Sequence, residues 1–342
     1  MEQKKLPTIK EIAKKLNISA STVSRALHNH PSIGWVTTMR VHKLAAELNY
    51  EPNQTAIFFK QRKTFTIGVI LPHLSEHFFS SAISGIEDYS GKKNYTVLMG
   101  QSLDDPEREM RLIESMKKHR VDGLLVSITK KTDDYTPFEN LAKSNIPVVY
   151  FDRIPALNDI HYIACDLKTG MLDAIDLLAA RGHRHIGFIN GPAELLASKE
   201  RMDAYQKGIS KNDIALDPQL VQTSDLSADD NRGAMERLLI AANRPTAVIT
   251  FNDYVALDAM KVAREHHLKA NTDIHFISFA NLPIWDYMEN PPMASIEQFP
   301  YQQGEKAAEI LLALLDDSRA DGDGTPLKFE QIILQSALVE KS

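Results

Sequence analysis

The chain has 342 residues, 43% of them hydrophobic, and a formal net charge of −6, enough for two or three domains with a substantial core. Its single cysteine, Cys165, excludes an internal disulfide and fits a reducing compartment. No stretch approaches transmembrane length and the N-terminal segment has no apolar run of the signal-peptide kind, so the expected location is the cytoplasm, with no membrane contact.

The net charge hides an asymmetry. Residues 1–63 carry 11 Lys and Arg against 4 Asp and Glu, while the rest carries 28 against 41. A basic head on an acidic body suggests that the head alone meets a polyanion. In that head Thr8, with Glu11 three residues on, makes a capping box, and Ile9, Ile12, Ala13 and Leu16 fall on one helical face. "LNIS" is a tight turn with Ser19 as the next N-cap. Val23, Ala26 and Leu27 then pack inward, leaving Ser21, Thr22, Ser24, Arg25 and His28 outward. Two short helices around a tight turn, the second with small polar outward residues, predict a helix-turn-helix that sinks into a major groove. Arg25 suits a bidentate pair with guanine, and Ser, Thr and Lys suit backbone phosphates. A third helix is predicted near 36–48, stopped by Pro52, with Asn53 capping a brief fourth. Phe58 and Phe59 beside Lys60, Arg62 and Lys63 suit insertion at a minor-groove step, although both rings, Phe58 above all, also suit packing against the body or a partner subunit.

"TIKEIAKKLNISASTVSRALH" and "LNYEPNQTA" resemble the head of the LacI/GalR family of bacterial transcription regulators, chiefly through "STVSR" and the Y-x-P-N before the hinge. The resemblance implies a dimer that reads a near-palindromic operator and a hinge helix that drives a side chain into the central minor groove. By position that wedge falls on Phe59, and the family's base readers fall on Ala20 and Ser21, both short here. Thr38 stands where an arginine is usual. The candidate DNA contacts are therefore Thr8, Ser19, Ala20, Ser21, Thr22, Ser24, Arg25, His28, Asn53 and Phe59.

From Thr66 onward, apolar runs alternate with helix-length spacers: "TIGVIL", "YTVLMG", "GLLVS", "PVVYFD", "IGFIN", "LVQTS", "AVITF" and "FISFA". Runs this apolar predict parallel strands covered on both faces. Eight exceed one comfortable sheet, and the stretch from Ile154 to Tyr162 breaks the rhythm, so two doubly wound lobes are expected. Open parallel sheets bind ligands at the carboxyl ends of their strands, and two facing lobes make a closable cleft. Just after strand ends stand Asp152, Arg153, Asn252, Asp253, Asn281 and Gln298, suited to a polyhydroxyl ligand, with Phe78 and Phe79 able to stack on its apolar face. Taken singly, each also fits a helix cap or a loop residue.

The resemblance extends over the body through "HFFSSAISGIED", "VVYFDR", "RGHRHIGFINGP", "RMDAYQKGI", "FNDYVALDAM" and "IEQFPYQQGEKAAEILL", which look like the family's effector core and are similar to periplasmic sugar-binding proteins. It implies that Asp152, Arg201, Asn252 and Gln298 contact the effector and that Phe78 lines the cleft, although Arg201 also reads as a solvated helix cation. There are departures. Ser278, Phe279, Ala280 and Asn281 replace a glycine, an aromatic and two aspartates, Leu226 stands where an aromatic often stacks, and Leu167 follows Asp166 where an asparagine is usual. They point to a less typical effector or a weakly binding cleft.

The sequence has no GxGxxG after its first strand, no GxxxxGK[ST] and no GxSxG. Histidines in "RGHRH" and "REHHL" lack metal-ligand spacing, and Asp104, Asp105, Asp316 and Asp317 read as helix-end or loop charges. No catalysis, metal or cofactor is expected. The expected architecture is α/β: an all-α helix-turn-helix head at 1–52, a hinge helix at 53–63, and a periplasmic-binding-protein-like core at 64–342. Lobe 1 would take about 64–162 and 298–322, and lobe 2 about 163–297 and 323–342. The expected function is a homodimeric transcription regulator, a repressor, that binds palindromic double-stranded operator DNA and answers to a small carbohydrate-like effector. The alternative is a ligand sensor whose DNA head has weakened.

Overall fold

The computed structural model describes residues 7–51, 63–317 and 329–341. It divides into two compact units, Met1–Thr64 and Phe65–Ser342. Most of the expected hinge, including Asn53 and Phe59, lies outside the described residues.

Among the described residues the head holds three helices: α1 (Ile9–Leu16), α2 (Ala20–Leu27) and α3 (Trp35–Glu47). The capping box forms reciprocally, the Thr8 N–H donating to Glu11 Oε2 at 2.9 Å and the Glu11 N–H to Thr8 Oγ1 at 3.3 Å. Asn17 ends α1 in the left-handed region (φ 52°), a conformation asparagine tolerates. Ile12, Ala13, Val23, Ala26, Val41 and Ala45 form a small core. The faces opposite that core stay in water.

The second unit begins with β1 (Thr66–Leu71), α4 (His77–Lys92), β2 (Thr96–Gln101), α5 (Pro106–Lys118), β3 (Gly123–Val126), α6 (Thr136–Lys143), β4 (Val148–Phe151) and β5 (His161–Asp166). It continues with α7 (Leu167–Ala180), β6 (Ile186–Asn190), α8 (Leu196–Lys211), β7 (Val221–Thr223), α9 (Ala228–Leu239), β8 (Ala247–Thr250), α10 (Asp253–Glu265), β9 (His275–Phe279) and β10 (Ala294–Glu297). The last elements are α11 (Pro300–Asp317), β11 (Gln331–Gln335) and β12 (Ala337–Glu340). Two six-stranded sheets result, ordered β11-β5-β4-β3-β1-β2 and β12-β10-β9-β8-β6-β7. The pairings are parallel except β10 with β12.

Two lobes therefore form, but their boundaries differ from the expectation. β5 pairs with β4, so lobe 1 runs through Asp166 rather than ending near 162. β11 pairs with β5 (Gln331 opposite Tyr162), so it belongs to lobe 1, and only β12 returns to lobe 2. Ladder hydrogen bonds, rather than an apolar run, hold these short mixed strands in place. The chain thus crosses between lobes near Leu167, Gln298 and Ser336. α11 returns to lobe 1 as expected, its Ala307, Ala308, Leu311 and Leu315 packing with Ile67, Phe79 and Ile86. Its approach to α4 is closest at two glycines. A Cβ on Gly304 would lie 1.9 Å from the Ala82 carbonyl oxygen, and one on Gly85 2.1 Å from that of Tyr301. Among the described residues no helix is long and apolar enough to cross a membrane.

Candidate functional site

A cleft of about 570 Å³ opens between the lobes, where the carboxyl ends of both sheets face each other. Lobe 1 contributes Glu76, Phe78 and Phe79 from the start of α4, Asp104 after β2, Lys130 after β3, and Asp152 and Arg153 after β4. Lobe 2 contributes Leu195 and Arg201 around α8, Leu226 and Asn231 around α9, and Phe251, Asn252 and Tyr254 between β8 and α10. Gln298 enters from the crossing segment.

Arg201 is 3% exposed, and its guanidinium carbon lies 4.2 Å from the Phe251 ring centroid and 4.3 Å from that of Phe279. Its Nε is buried without a hydrogen-bond partner. Burial lowers its pKa to about 10, with Asp152 pulling the other way, so it stays charged at neutral pH. Opposite, burial pushes Asp152 up to about 6; Arg153 and Arg201 oppose that shift and Glu76 adds to it. Glu76 is also raised by burial, against Arg153. Asp152 has φ 59° and accepts from Ser127 Oγ at 3.3 Å.

Arg153 is held by Asp104 at 2.6 Å, and Asp104 also accepts the Lys130 N–H at 3.0 Å. Burial alone would raise Asp104, but Arg153 and that N–H hold it below the usual carboxylate range. Asp104 is therefore a cleft residue and not the loop charge expected, because the backbone after β2 (φ 56°) brings it against Arg153. Asp105 caps α5, accepting the Glu107 N–H at 3.0 Å. Away from the crossing segments, the lobes also touch where Lys130 Nζ donates to the Asp225 carbonyl at 3.2 Å and the His77 N–H to Tyr254 Oη at 3.3 Å.

Of the nine expected effector residues, Phe78, Phe79, Asp152, Arg153, Arg201, Asn252 and Gln298 come together here. Asn252 also caps α10, accepting the Val255 N–H at 3.0 Å. Asp253 does not line the cleft. It is fully buried in lobe 2, where its carboxylate accepts from Ser278 Oγ, from Ser295 Oγ at 2.8 Å and from the Leu282 N–H at 2.6 Å. Burial raises its pKa and these donors lower it. Asn281 is turned away from the cleft, because its N–H donates to Ser295 Oγ and its Nδ2 donates to Glu297 Oε2, both at 2.9 Å. Glu76, Lys130, Asn231 and Tyr254 were missed. The strand-end rule applied after β2 and β3 would have found Asp104 and Lys130.

In the head, the hydroxyls of Thr8 and Ser19 are spent on caps, Ser19 Oγ accepting the Thr22 N–H at 3.0 Å. Ser21, Arg25 and His28 are exposed, Ala20, Thr22 and Ser24 half-buried, and His28 Nδ1 lies 2.7 Å from the Ser24 carbonyl. One face of α2 thus presents small groups with Arg25 as its long cation.

The sequence matches two family models: bacterial regulatory proteins, lacI family, over residues 8–53, and a periplasmic binding protein domain over residues 67–319. The HTH-type transcriptional repressor CytR of Escherichia coli K12 is 30% identical over 336 residues, 98% of this chain and 97% of that protein. The lac repressor dimer bound to operator and the anti-inducer ONPF shares the fold, with a TM-score of 0.83 over 98% of both chains at 24% identity. A periplasmic binding protein/LacI transcriptional regulator from Alkaliphilus metalliredigens, complexed with D-xylulofuranose, superposes with a TM-score of 0.68 at 25% identity, over 80% of this chain and 97% of that one.

Proposed function

The chain belongs to the lacI family of bacterial regulatory proteins, and on that premise we propose that it is a cytoplasmic homodimeric repressor whose operator affinity is set by a carbohydrate-like effector bound between its lobes. Each head lays α2 in the major groove of one half-site, with Arg25 reading a guanine edge and Ser21 allowing close approach. A symmetric dimer reads a palindromic operator. The hinge at 53–63, with Asn53 and Phe59, connects head to body and meets the central minor groove.

The observation that carries the effector reading is Arg201, a buried cation whose Nε lacks a partner and which faces the Asp152 carboxyl across the cleft. A ligand with adjacent hydroxyls satisfies both, accepting from the guanidinium and donating to the carboxylate. Phe78 and Phe79 offer apolar surface to a sugar ring, and Asn252 and Gln298 add polar contacts. The D-xylulofuranose held by the A. metalliredigens regulator supports this class of ligand. The apolar Ala280 and Leu226, where the family often has a carboxylate and an aromatic, favour an effector with fewer polar groups on that side. Because the ligand touches both lobes, its binding and operator binding change each other's affinity by one common factor.

The test is a melting-temperature panel of sugars, sugar phosphates, uronic acids and nucleosides on the full chain. A ligand at about a hundred times its Kd adds roughly 2.7 kcal/mol. Arg201→Ala should abolish the shift and leave operator binding in place. A shift that survives Arg201→Ala would sink this reading of the cleft.

A further inference from the structure

Beside the effector cleft lies a second cavity of about 360 Å³, also built from both lobes. Three segments separate the two, and along each of them the chain turns alternately to one side and the other. Glu76 and Phe78 face the cleft while His77 faces the second cavity; Leu282 and Gln298 face the cleft while Asn281, Glu297 and Phe299 face the second cavity. Ala280 borders both, so the partition is one layer of chain thick. Its backbone is held in an unusual conformation, with φ 103° at Ala280, 49° at Asn281 and 55° at Phe299. Non-glycine residues persist there only when the surroundings over-determine them, and such positions gather at ligand sites.

The chemistry of the second cavity is acceptor-rich. Asn281 Oδ1 is buried with no hydrogen-bond partner. Glu297 accepts from Asn281 Nδ2 at 2.9 Å and from the Phe299 N–H at 2.7 Å, and both of these donors are neutral. Lys341, the lysine in the lining, is paired with Asp286 at 3.2 Å. Phe299 and Tyr301 add aromatic rings to the lining. An orphan amide oxygen, a carboxylate with no cationic partner among the described residues and two rings together suit a cation with N–H donors. A neutral polyol would satisfy the amide but leave the carboxylate's charge uncompensated.

The geometry points to a second ligand site, distinct from the effector cleft, that takes a primary ammonium group between Asn281 Oδ1 and Glu297. Because both lobes line it, its occupant adds to the free energy of lobe closure without touching the effector.

The experiment uses the full chain and ethanolamine as the probe, with ethylene glycol as the uncharged match, at constant ionic strength. Ethanolamine should raise Tm saturably, by about 2–4 °C at ten times its Kd, and ethylene glycol should not. The rise should persist in Arg201→Ala and disappear in Glu297→Gln and Asn281→Leu. Ser81→Leu, which fills the cavity from α4 and leaves both acceptors in place, should abolish it as well. The absence of any saturable rise overturns the proposal, as does a rise of undiminished size in Glu297→Gln and Ser81→Leu. A rise lost only in Arg201→Ala assigns the amine to the effector cleft and likewise overturns it.

Discussion

The guanidinium of Arg201 lies 4.2 Å from the ring centroid of Phe251, with Phe279 at 4.3 Å. This stacking holds the planar fork in one orientation at the wall of the cleft, so a ligand meets it at little entropic cost. Lysine keeps the charge but has neither the plane nor the fork. Arg201→Lys should therefore weaken effector binding by about 10–100-fold, in line with about 1.5–3 kcal/mol for a hydrogen bond to a charged group. Arg201→Met should abolish the response while leaving unfolding stability unchanged or higher, because burying the cation is itself costly. Calorimetric titration with the ligand found in the panel, alongside urea unfolding, separates the two effects.

Asp152 supplies a pH test. Its folded pKa, about 6, lies above the ordinary 3.8, with burial as the main cause. Between those values the native state holds a proton that the unfolded chain has released, so this group's contribution to stability falls as pH rises. The destabilisation it causes is nil below about pH 4, grows to about pH 6 and is constant above, where two pKa units amount to about 3 kcal/mol. Asp152→Asn should match the parent near pH 4 and exceed it by up to about 2–3 kcal/mol above pH 7, less whatever Arg153 loses. Urea unfolding of both chains at the two pH values checks this, and a constant difference would remove Asp152 as the source.

How much of this was legible depended on the physics of each piece. Six of the eight apolar runs announced strands buried on both faces, which need such residues throughout, whereas β2 and β7 lie at sheet edges and are partly exposed. β5, β10, β11 and β12 are mixed in polarity, and ladder partners far along the chain define them. Asp152 and Asn252 could be read from strand ends. Asp253 could not be separated from Asn252, since one residue of a turn decides which side chain faces the cleft and which the lobe-2 interior. Motif resemblance names Arg201, while its local pattern fits a solvated helix cation equally; its stacking comes from Phe251, just after β8, and Phe279, at the end of β9. Asp104 acquires its role from Arg153, far along the sequence, and no local pattern reports that pairing.

Packing of α11 on α4 makes a sharper stability prediction. A methyl on Gly304 meets the Ala82 carbonyl oxygen at 1.9 Å, and one on Gly85 meets that of Tyr301 at 2.1 Å. Backbone carbonyls cannot swing aside, so the helices must separate. Gly304→Ala and Gly85→Ala should each cost at least about 1–3 kcal/mol. Gly91, in the last turn of the same α4, has open space around its Cβ direction. Gly91→Ala should instead stabilise the chain by about 0.4–1 kcal/mol, through helix propensity and a less disordered unfolded state. Opposite signs in one helix, read from urea midpoints, would tie the loss to the α4–α11 contact.

On α2, Arg25 and Ser19 separate reading from folding. Arg25 is exposed and contributes nothing to the head's core, whereas Ser19 Oγ accepts the Thr22 N–H at 3.0 Å and starts the helix. Arg25→Ala should leave head stability unchanged and weaken operator binding by about 1–3 kcal/mol, the worth of a bidentate guanine contact. Its effect on unrelated DNA should be small. Ser19→Ala should cost about 1 kcal/mol of head stability through the lost cap and lower binding to both kinds of DNA together. With an operator selected from a randomised duplex pool, anisotropy titrations at two salt concentrations distinguish the cases. If Arg25 reads a base, Arg25→Ala relaxes selectivity at one operator position. If it only meets a phosphate, all sequences weaken alike and the salt dependence becomes shallower by about one charge.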